Sequence, residues 1–213
     1  MNYRRYHEME RPHRPYRQVA RAAATAEARR RILRCFLALL GERPAEEITL
    51  DDVAGRAGTS RQTLIRYFGG KDGLMRAVSE QLVEDVLARR HVPAGSGLED
   101  HMAALVADYD EIGHVIVQML AQEARLPILT ICLDRGRRGH RAWIASVFAP
   151  WLKGVSATER TRLLDQLYAV TDVNVWKLLR QDFGRSADVT SRQIAEMARK
   201  LVAGLPVARS KAA

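Results

Sequence analysis

The sequence predicts an all-α protein, because three patterns agree along the chain. Apolar residues recur at helical spacing almost everywhere, whereas the alternation of β-branched and polar residues that is typical of strands is rare. At several positions a Ser or Thr precedes an acidic residue by three places, as at Ser96 and Ser156, which is the capping-box pattern of a helix start. We therefore expect helices joined by short turns.

The first helix is expected from about Ala23 to Leu40, and Gly41 and Pro44 end it. Its apolar stripe consists of Ile32, Phe36, Leu39 and Leu40. Residues 1–22 contain two prolines and many charges, which predicts a flexible basic arm.

Two very short helices are expected next. Thr49 caps the first one in a capping box with Asp52, and Gly58 ends it in the left-handed conformation. Ser60 caps the second, which spans roughly Arg61 to Phe68. A longer helix follows over residues 71–90.

The segment His91–Gly97 is the clearest linker, since it contains Pro, Gly and Ser. The chain after it is rich in Leu, Val and Ala and predicts several helices. They are expected over residues 98–110, 112–125, 128–135, 137–152, 158–183 and 188–205.

The composition is that of a globular protein, with 213 residues, 47% hydrophobic and 28% charged. The charge-free run Ala142–Leu152 is far shorter than the about 20 residues of a membrane span. The N-terminus lacks the apolar core of a signal peptide, so a cytoplasmic location is expected. Cys35 and Cys132 lie in apolar surroundings and are expected to be reduced and packed.

The net charge of +9 is concentrated at one end of the chain. Residues 1–34 hold ten arginines and three glutamates. This arm is expected to attract the phosphates of a polyanion, in the minor groove or along the backbone of DNA, although a disordered tail is the alternative. The excess of arginine over lysine has two explanations, a GC-rich genome or the geometry of phosphate binding.

The two short helices and the turn between them predict a helix-turn-helix. Apolar side chains would hold the pair together: Val53, Ala54, Ala57, Leu64 and Phe68. The opposite face of the second helix is polar. Arg61 and Gln62 lie in its first turn, where a recognition helix reaches base edges in the major groove. Arg suits guanine and Gln suits adenine.

These residues resemble the N-terminal signature of the TetR/AcrR family of transcriptional regulators over about Ala23 to Ala77. The matching positions are Thr49, Val53, Ala54, Ala57, Gly58, Ser60, Thr63, Leu64, Tyr67, Phe68, Lys71, Asp72 and Leu74. The resemblance implies an N-terminal three-helix helix-turn-helix DNA-binding domain followed by a larger helical ligand-binding and dimerisation domain. It also implies a homodimer on a palindromic operator of double-stranded DNA, and commonly a repressor released by a small molecule.

The expected organisation is then an arm (1–22), a helix-turn-helix domain (23–70), a connecting helix (71–90), a regulatory and dimerisation domain (91–205) and a tail (206–213). Carried over by position, the family pattern places Arg61 and Gln62 at bases. It places phosphate contacts at Thr49, Ser60, Thr63, Tyr67 and Lys71. One departure is Ile65, where the family commonly has a Tyr that reaches a phosphate, so Arg66 or the arm would have to replace that contact.

The C-terminal half offers scattered aromatic residues, which suit either an apolar pocket or a solid core. Met119 and Trp176 are the residues expected to line a pocket for a small apolar effector. Asp172 and Asn174 are expected to contact a ligand or a dimer partner, or to face water. The final helix carries a stripe expected at the dimer interface, consisting of Ile194, Ala198, Leu201, Val202 and Leu205.

Catalytic and metal-binding patterns are weak. The sequence contains no HExxH, GxSxG or P-loop run, and Glu111 with His114 forms at most half a metal site. We therefore expect neither an enzyme nor a cofactor. The alternative to an effector-controlled regulator is an architectural DNA-binding protein without an effector, and an activator is as compatible with the sequence as a repressor.

Overall fold

The computed structural model describes the backbone of residues 14–205, with side chains described at Val19 and from Arg21 onward. These residues form helices and no strand, as the sequence predicts, and none of the helices is long and apolar enough to cross a membrane. The helices are α1 (Arg14–Glu42), α2 (Leu50–Ala57), α3 (Arg61–Phe68), α4 (Lys71–Arg89), α5 (Leu98–Gln122), α6 (Pro127–Val147), α7 (Ala149–Leu152), α8 (Ala157–Thr171), α9 (Val173–Lys177) and α10 (Ala187–Val202), with a 3-10 turn at Ala45–Glu47 and a π-helical turn at Leu178–Asp182.

Helix α1 begins earlier than the sequence analysis predicts. It starts at Arg14 rather than near Ala23, so residues 14–22 of the predicted arm are helical. The added stretch is rich in Ala and Arg, which have high helix propensity, and Pro15 falls in the first turn, where its missing N–H costs nothing. Residues 1–13 lie outside the described residues.

Helix α5 is continuous where the sequence analysis predicts a break near residue 111. A glycine occupies position 113 in the middle of this helix, and a larger residue would not fit there. A Cβ at this position would lie 2.6 Å from a ring carbon of Trp176. In contrast, the predicted segment 158–183 is interrupted at Asp172, whose extended backbone ends α8 and whose side chain accepts the N–H of Asn174 to start α9.

The helix-turn-helix is held by a small apolar core between α1, α2 and α3. Phe36 of α1 and Leu64 of α3 are fully buried in it. Gly58 ends α2 with φ of 60°, which is the left-handed region that favours glycine. Arg31 reaches from α1 to donate to the carbonyl of Ala57 at 3.0 Å, so the turn is tied to α1.

The N-terminal core is shared with α5 and α6. Met119, Cys132 and Leu133 are buried in the same cluster as the residues of the helix-turn-helix. The backbone N–H of Ala45, just before α2, donates to Oε1 of Gln122 at the end of α5 at 2.8 Å. The two halves of the chain are therefore directly packed together, and α4 is not the only connection between them.

The apolar stripe of α10 lies inside the chain. Ile194, Ala198 and Val202 are almost fully buried in the C-terminal core, where α10 packs along α5. The prediction that these three side chains form a dimer interface is wrong, because α5 supplies their apolar partner, whereas Leu201 and Leu205 of the same stripe are only partly buried.

Candidate nucleic-acid interface and cavity

Helix α3 starts at a well-formed cap. The Ser60 side chain accepts the N–H of Thr63, and Ser60 has the extended backbone of an N-cap residue. Gly69 ends the helix in the left-handed conformation. These two local signals fix the length of α3 at two turns, so its first turn is presented at a defined point.

The outer face of α3 is exposed and basic. Arg61, Gln62, Ile65 and Arg66 are all exposed, whereas Leu64 faces the core. Arg61 makes one 3.3 Å contact with Asp51, and both side chains are more than 60% exposed. An ion pair this exposed contributes little energy, so Arg61 is free to exchange Asp51 for a base edge.

The cap also contains two hydroxyl groups that contact each other. Ser60 Oγ and Thr63 Oγ1 are 3.0 Å apart, and either can be the donor. Only one hydroxyl hydrogen is used in this contact, so one remains for an outside acceptor such as a phosphate oxygen. The N-terminus of α3 adds the positive end of its dipole at the same place.

Thr49 is engaged within the protein. Its hydroxyl donates to the Asp52 carboxylate at 2.7 Å and accepts the N–H of Asp52, and its backbone N–H donates to the same carboxylate at 2.8 Å, which completes the capping box. The hydrogen bonds that this carboxylate accepts from the Thr49 hydroxyl, the Thr49 backbone and Arg43 lower the pKa of Asp52 to about 2. In this conformation the Thr49 hydroxyl has no hydrogen left for a phosphate.

Lys71 and Tyr67 are only partly exposed. The Lys71 ammonium donates to the carbonyl of Glu46 at 3.3 Å, and burial lowers its pKa. The ring of Tyr67 packs edge-on against Phe68 and lies under the guanidinium of Arg66 at 5.1 Å. These two residues therefore flank the exposed face of α3 and do not lie at its centre.

Arg43 is a basic residue beside the candidate nucleic-acid interface that the sequence analysis does not include among its site residues. It pairs with Asp52 at 2.9 Å, and its charge acts on Lys71. The signal available in the sequence was a basic residue six positions before Thr49, which is too common to be diagnostic.

A cavity of about 580 Å³ lies between α4, α5, α6 and the end of α8. Of the two residues expected to line an effector pocket, Met119 lies on its wall and Trp176 does not. The Trp176 ring instead packs on Gly113, and its Nε1 donates to Asp110 at 2.8 Å. The apolar part of the wall comprises Leu82, Val83, Val86, Ile112, Ile116, Met119, Leu120 and Leu133.

A chain of buried polar groups reaches one end of the cavity, where Arg90 and His140 line the wall. The Asp108 carboxylate accepts from Nε of Arg89 at 2.6 Å and from Nε of Arg90 at 2.7 Å. Arg90 also contacts Nδ1 of His140 at 2.9 Å, and Nε2 of His140 contacts the Thr171 hydroxyl at 3.1 Å. Burial and the neighbouring Arg90 charge lower the pKa of His140 to about 3, so its ring is neutral and Nδ1 accepts from Arg90.

No pattern in the sequence distinguishes Arg90 from the exposed arginines around it. It immediately follows α4, yet only 4% of its side chain is exposed. Its partners Asp108 and His140 come from α5 and α6, and Thr171, which contacts His140, comes from α8. Only the fold brings these groups together, so sequence reasoning alone would not find them.

Comparison with known proteins identifies the N-terminal region. Residues 32–78 match the family described as "Bacterial regulatory proteins, tetR family". The chain is 33% identical over 82 residues to the HTH-type transcriptional regulator BetI 2 of Chromohalobacter salexigens, covering 37% of this chain and 40% of that protein. It is 28% identical over 144 residues to BetI of Escherichia coli, covering 65% of each. The matched regions thus span about two fifths of the first relative and just under two thirds of the second.

Solved structures share the fold over most of the chain. A tetR-family transcriptional regulator from Streptomyces coelicolor has a TM-score of 0.66 and 19% identity, covering 83% of this chain and 80% of that one. A transcriptional regulator from Saccharomonospora viridis, solved in complex with choline, has a TM-score of 0.61 and 20% identity, covering 86% of this chain and 100% of that one.

Proposed function

Because the chain belongs to the TetR family of bacterial transcriptional regulators, we propose that it binds a palindromic DNA operator as a homodimer and represses transcription until a small molecule releases it. The observation that carries the proposal is the exposed basic face of α3, presented by the Ser60 cap and backed by the buried Leu64. A regulator that acts on the chromosome would work in the cytoplasm.

We assign base contacts to Arg61 and Gln62. They lie in the first turn of α3, both are exposed, and their side chains suit the major-groove edges of guanine and adenine. Phosphate contacts are supported best at the Ser60 and Thr63 pair, which keeps a free hydroxyl hydrogen, and at Lys71, whose only hydrogen-bond partner among the described residues is a carbonyl. Tyr67 is a flanking phosphate contact. A contact by Thr49 requires its hydroxyl to leave Asp52.

The basic helix α1 supports a second contact with DNA. Among its described side chains, Arg21, Arg29, Arg30, Arg31 and Arg34 are exposed. Glu27 pairs with Arg30 and Arg34, so the charge without an acidic partner among the described residues is carried by Arg21, Arg29 and Arg31. Such a helix adds phosphate attraction that does not depend on base sequence.

A homodimer places two α3 helices on the DNA. Successive major grooves on one side of the duplex are about 34 Å apart, so the two helices must be held at that spacing. Since Ile194, Ala198 and Val202 of α10 are covered by α5, the dimer contact has to use other side chains. Leu178 and Phe183, which are 43% and 54% exposed at the π-helical turn before α10, are the apolar residues we assign to it.

The cavity supports control by a small molecule. Its wall includes Leu82, Val86 and Arg90, which lie on or directly after α4, the helix that begins at the end of the helix-turn-helix domain. A ligand that shifts α4 would move α3 relative to its dimer partner, and couplings of this kind are worth about 1–3 kcal/mol.

Footprinting of the purified chain on DNA selected from a random pool tests the proposal. A regulator protects one discrete palindrome, and an unrelated fragment of equal length stays unprotected at the same protein concentration. Protection that spreads along every fragment would support an architectural protein and contradict the proposal. Loss of protection on adding a ligand separates effector control from constitutive binding.

A further inference from the structure

The aromatic faces of the cavity are already covered by the chain's own cations. The guanidinium of Arg90 lies 4.9 Å from the ring centroid of Tyr109 and 5.2 Å from that of Trp143. The guanidinium of Arg141 lies 5.5 Å from the ring centroid of Tyr168. A ligand cation binds an aromatic ring by the same attraction, so it would have to displace an arginine or share the ring with it.

The buried end of the cavity carries an excess of positive charge. One carboxylate, Asp108, is shared between Arg89 and Arg90, while the neighbouring His140 is neutral. The side chain of Asp108 is fully buried and that of Arg90 is 4% exposed. A buried charge that lacks a partner is costly, so this cluster favours a further negative group nearby.

The same cluster has more hydrogen-bond donors than acceptors. A guanidinium offers five N–H groups. Nε and Nη2 of Arg90 contact Asp108, and Nη1 contacts His140. Each terminal nitrogen carries two hydrogens, so Nη1 and Nη2 each keep one further hydrogen to donate. The cluster can therefore donate to an additional acceptor.

The other charges on the wall do not reverse this imbalance. Asp134 pairs with Arg137 at 2.8 Å. Asp172 accepts the N–H and the side-chain amide of Asn174, and it is the one acidic side chain of the wall without a basic partner in the described structure. Arg138, exposed on the same wall and likewise unpaired there, offsets it.

We propose that the cavity binds an apolar molecule bearing one carboxylate, that this carboxylate docks on Arg90, and that quaternary ammonium ions are excluded. The proposal rests on the effector site of the proposed function and names its ligand class. Leu82, Val86, Ile112, Ile116 and Leu133 supply the apolar surface for the body of the ligand. Because Arg90 directly follows α4, a carboxylate that competes with Asp108 for Arg90 also acts on the end of that helix.

Titration of the full chain with matched ligands tests the class of the head group. We would use hexyl, phenylbutyl and decyl bodies, each carrying a carboxylate, a hydroxyl or a trimethylammonium group, and measure heats of binding at pH 7.5. We expect the carboxylate of at least one body to bind about tenfold or more tightly than its alcohol, as a charged hydrogen bond predicts, and its ammonium analogue not to bind. Equal affinity of acid and alcohol, binding of the ammonium compound, or no binding by any acid would overturn the proposal.

Two variants locate the docking point. Arg90→Met should abolish the preference for the acid over the alcohol, while Arg160→Met, which removes an exposed arginine of α8 outside the cavity, should keep it. If Arg90→Met does not fold, Asp108→Asn gives the same information, since it leaves both arginines unpaired and should strengthen binding of the acid. An unchanged preference in Arg90→Met, or unchanged binding of the acid by Asp108→Asn, would refute Arg90 as the anchor.

The result can be separated from the fate of the proposed function. Operator binding by the ligand-free protein is measured in the same preparation. Specific DNA binding without a preference for the acid would refute the ligand class alone. A preference for the acid without specific DNA binding would refute the regulator instead.

Discussion

Ile65 offers a specific test of how α3 meets DNA. It is an apolar side chain on the exposed basic face, one turn after Arg61, and 44% of its surface is accessible. If this face enters the major groove, the apolar group that a base edge offers to Ile65 is the 5-methyl group of thymine. We therefore predict that one thymine of each half-site is recognised through its methyl group by Ile65.

The expected magnitude follows from the area that remains to be buried. Full burial of an isoleucine side chain is worth about 1.5–3 kcal/mol, and somewhat less than half of the Ile65 surface is still exposed. Ile65→Ala should therefore weaken operator binding by roughly 1 kcal/mol for each half-site. Replacing the contacted thymine by uracil removes one methyl group, worth about 0.8 kcal/mol or roughly a fourfold change in Kd.

The assay is fluorescence anisotropy with operators in which each thymine is replaced in turn by uracil. The wild type should lose affinity when uracil replaces one particular thymine, at the equivalent position of either half-site. Ile65→Ala should bind the thymine and uracil operators equally. Ile131→Ala, which truncates an isoleucine of 46% exposure on α6, serves as the control and should behave as the wild type. The interpretation is refuted if no uracil substitution matters to the wild type, or if Ile65→Ala remains sensitive to it. Ile65 would then face the backbone.

Four further outcomes are expected. Deleting residues 1–20 should weaken binding to all DNA similarly and reduce the slope of log K against log salt, as titrations at several salt concentrations would reveal; an unchanged slope would exclude the arm. Leu64→Ala should destabilise the fold by about 2–5 kcal/mol in urea, because Leu64 is fully buried, and a loss below 1 kcal/mol would contradict the packing described. Phe183→Asp should convert the dimer to a monomer in sedimentation velocity, and a dimer that persists would place the interface elsewhere. Folding lowers the pKa of His140, so its ring takes up a proton on unfolding below about pH 6.5, and the free energy of unfolding falls with decreasing pH. His140→Gln should reduce the slope of the unfolding free energy against pH by up to about 1.4 kcal/mol per pH unit between pH 6 and 4. Equal slopes in the wild type and the variant would mean that His140 is not held neutral.

The sequence predicted those parts of the structure that depend on local chemistry. Thr49, Gly58 and Ser60 each specify a helix end through their own backbone or side chain, so α2 and α3 appear where the capping patterns place them. The exposed positions of Arg61 and Gln62 follow from the same short segment.

The parts that were not predicted depend on which surfaces meet in the fold. The stripe of α10 has the pattern of an interface, but the pattern does not say whether the partner is α5 or a second chain. The predicted segments 98–110 and 112–125 form one helix, α5, in which the ring of Trp176 occupies the space beside Gly113. The burial of Arg90 depends on Asp108 and His140, which lie 18 and 50 residues away in sequence.

The most direct test of the central claim, that α3 reads base sequence in the major groove, is selection of bound sites from random DNA with the wild type and with Arg61→Ala. The account predicts a palindrome with half-sites one helical turn apart for the wild type. Arg61→Ala should lose the preference at one position of each half-site, with a cost of about 1–3 kcal/mol there, and should keep the preferences at the others. An identical consensus for the two proteins, or no enriched palindrome for the wild type, would contradict it.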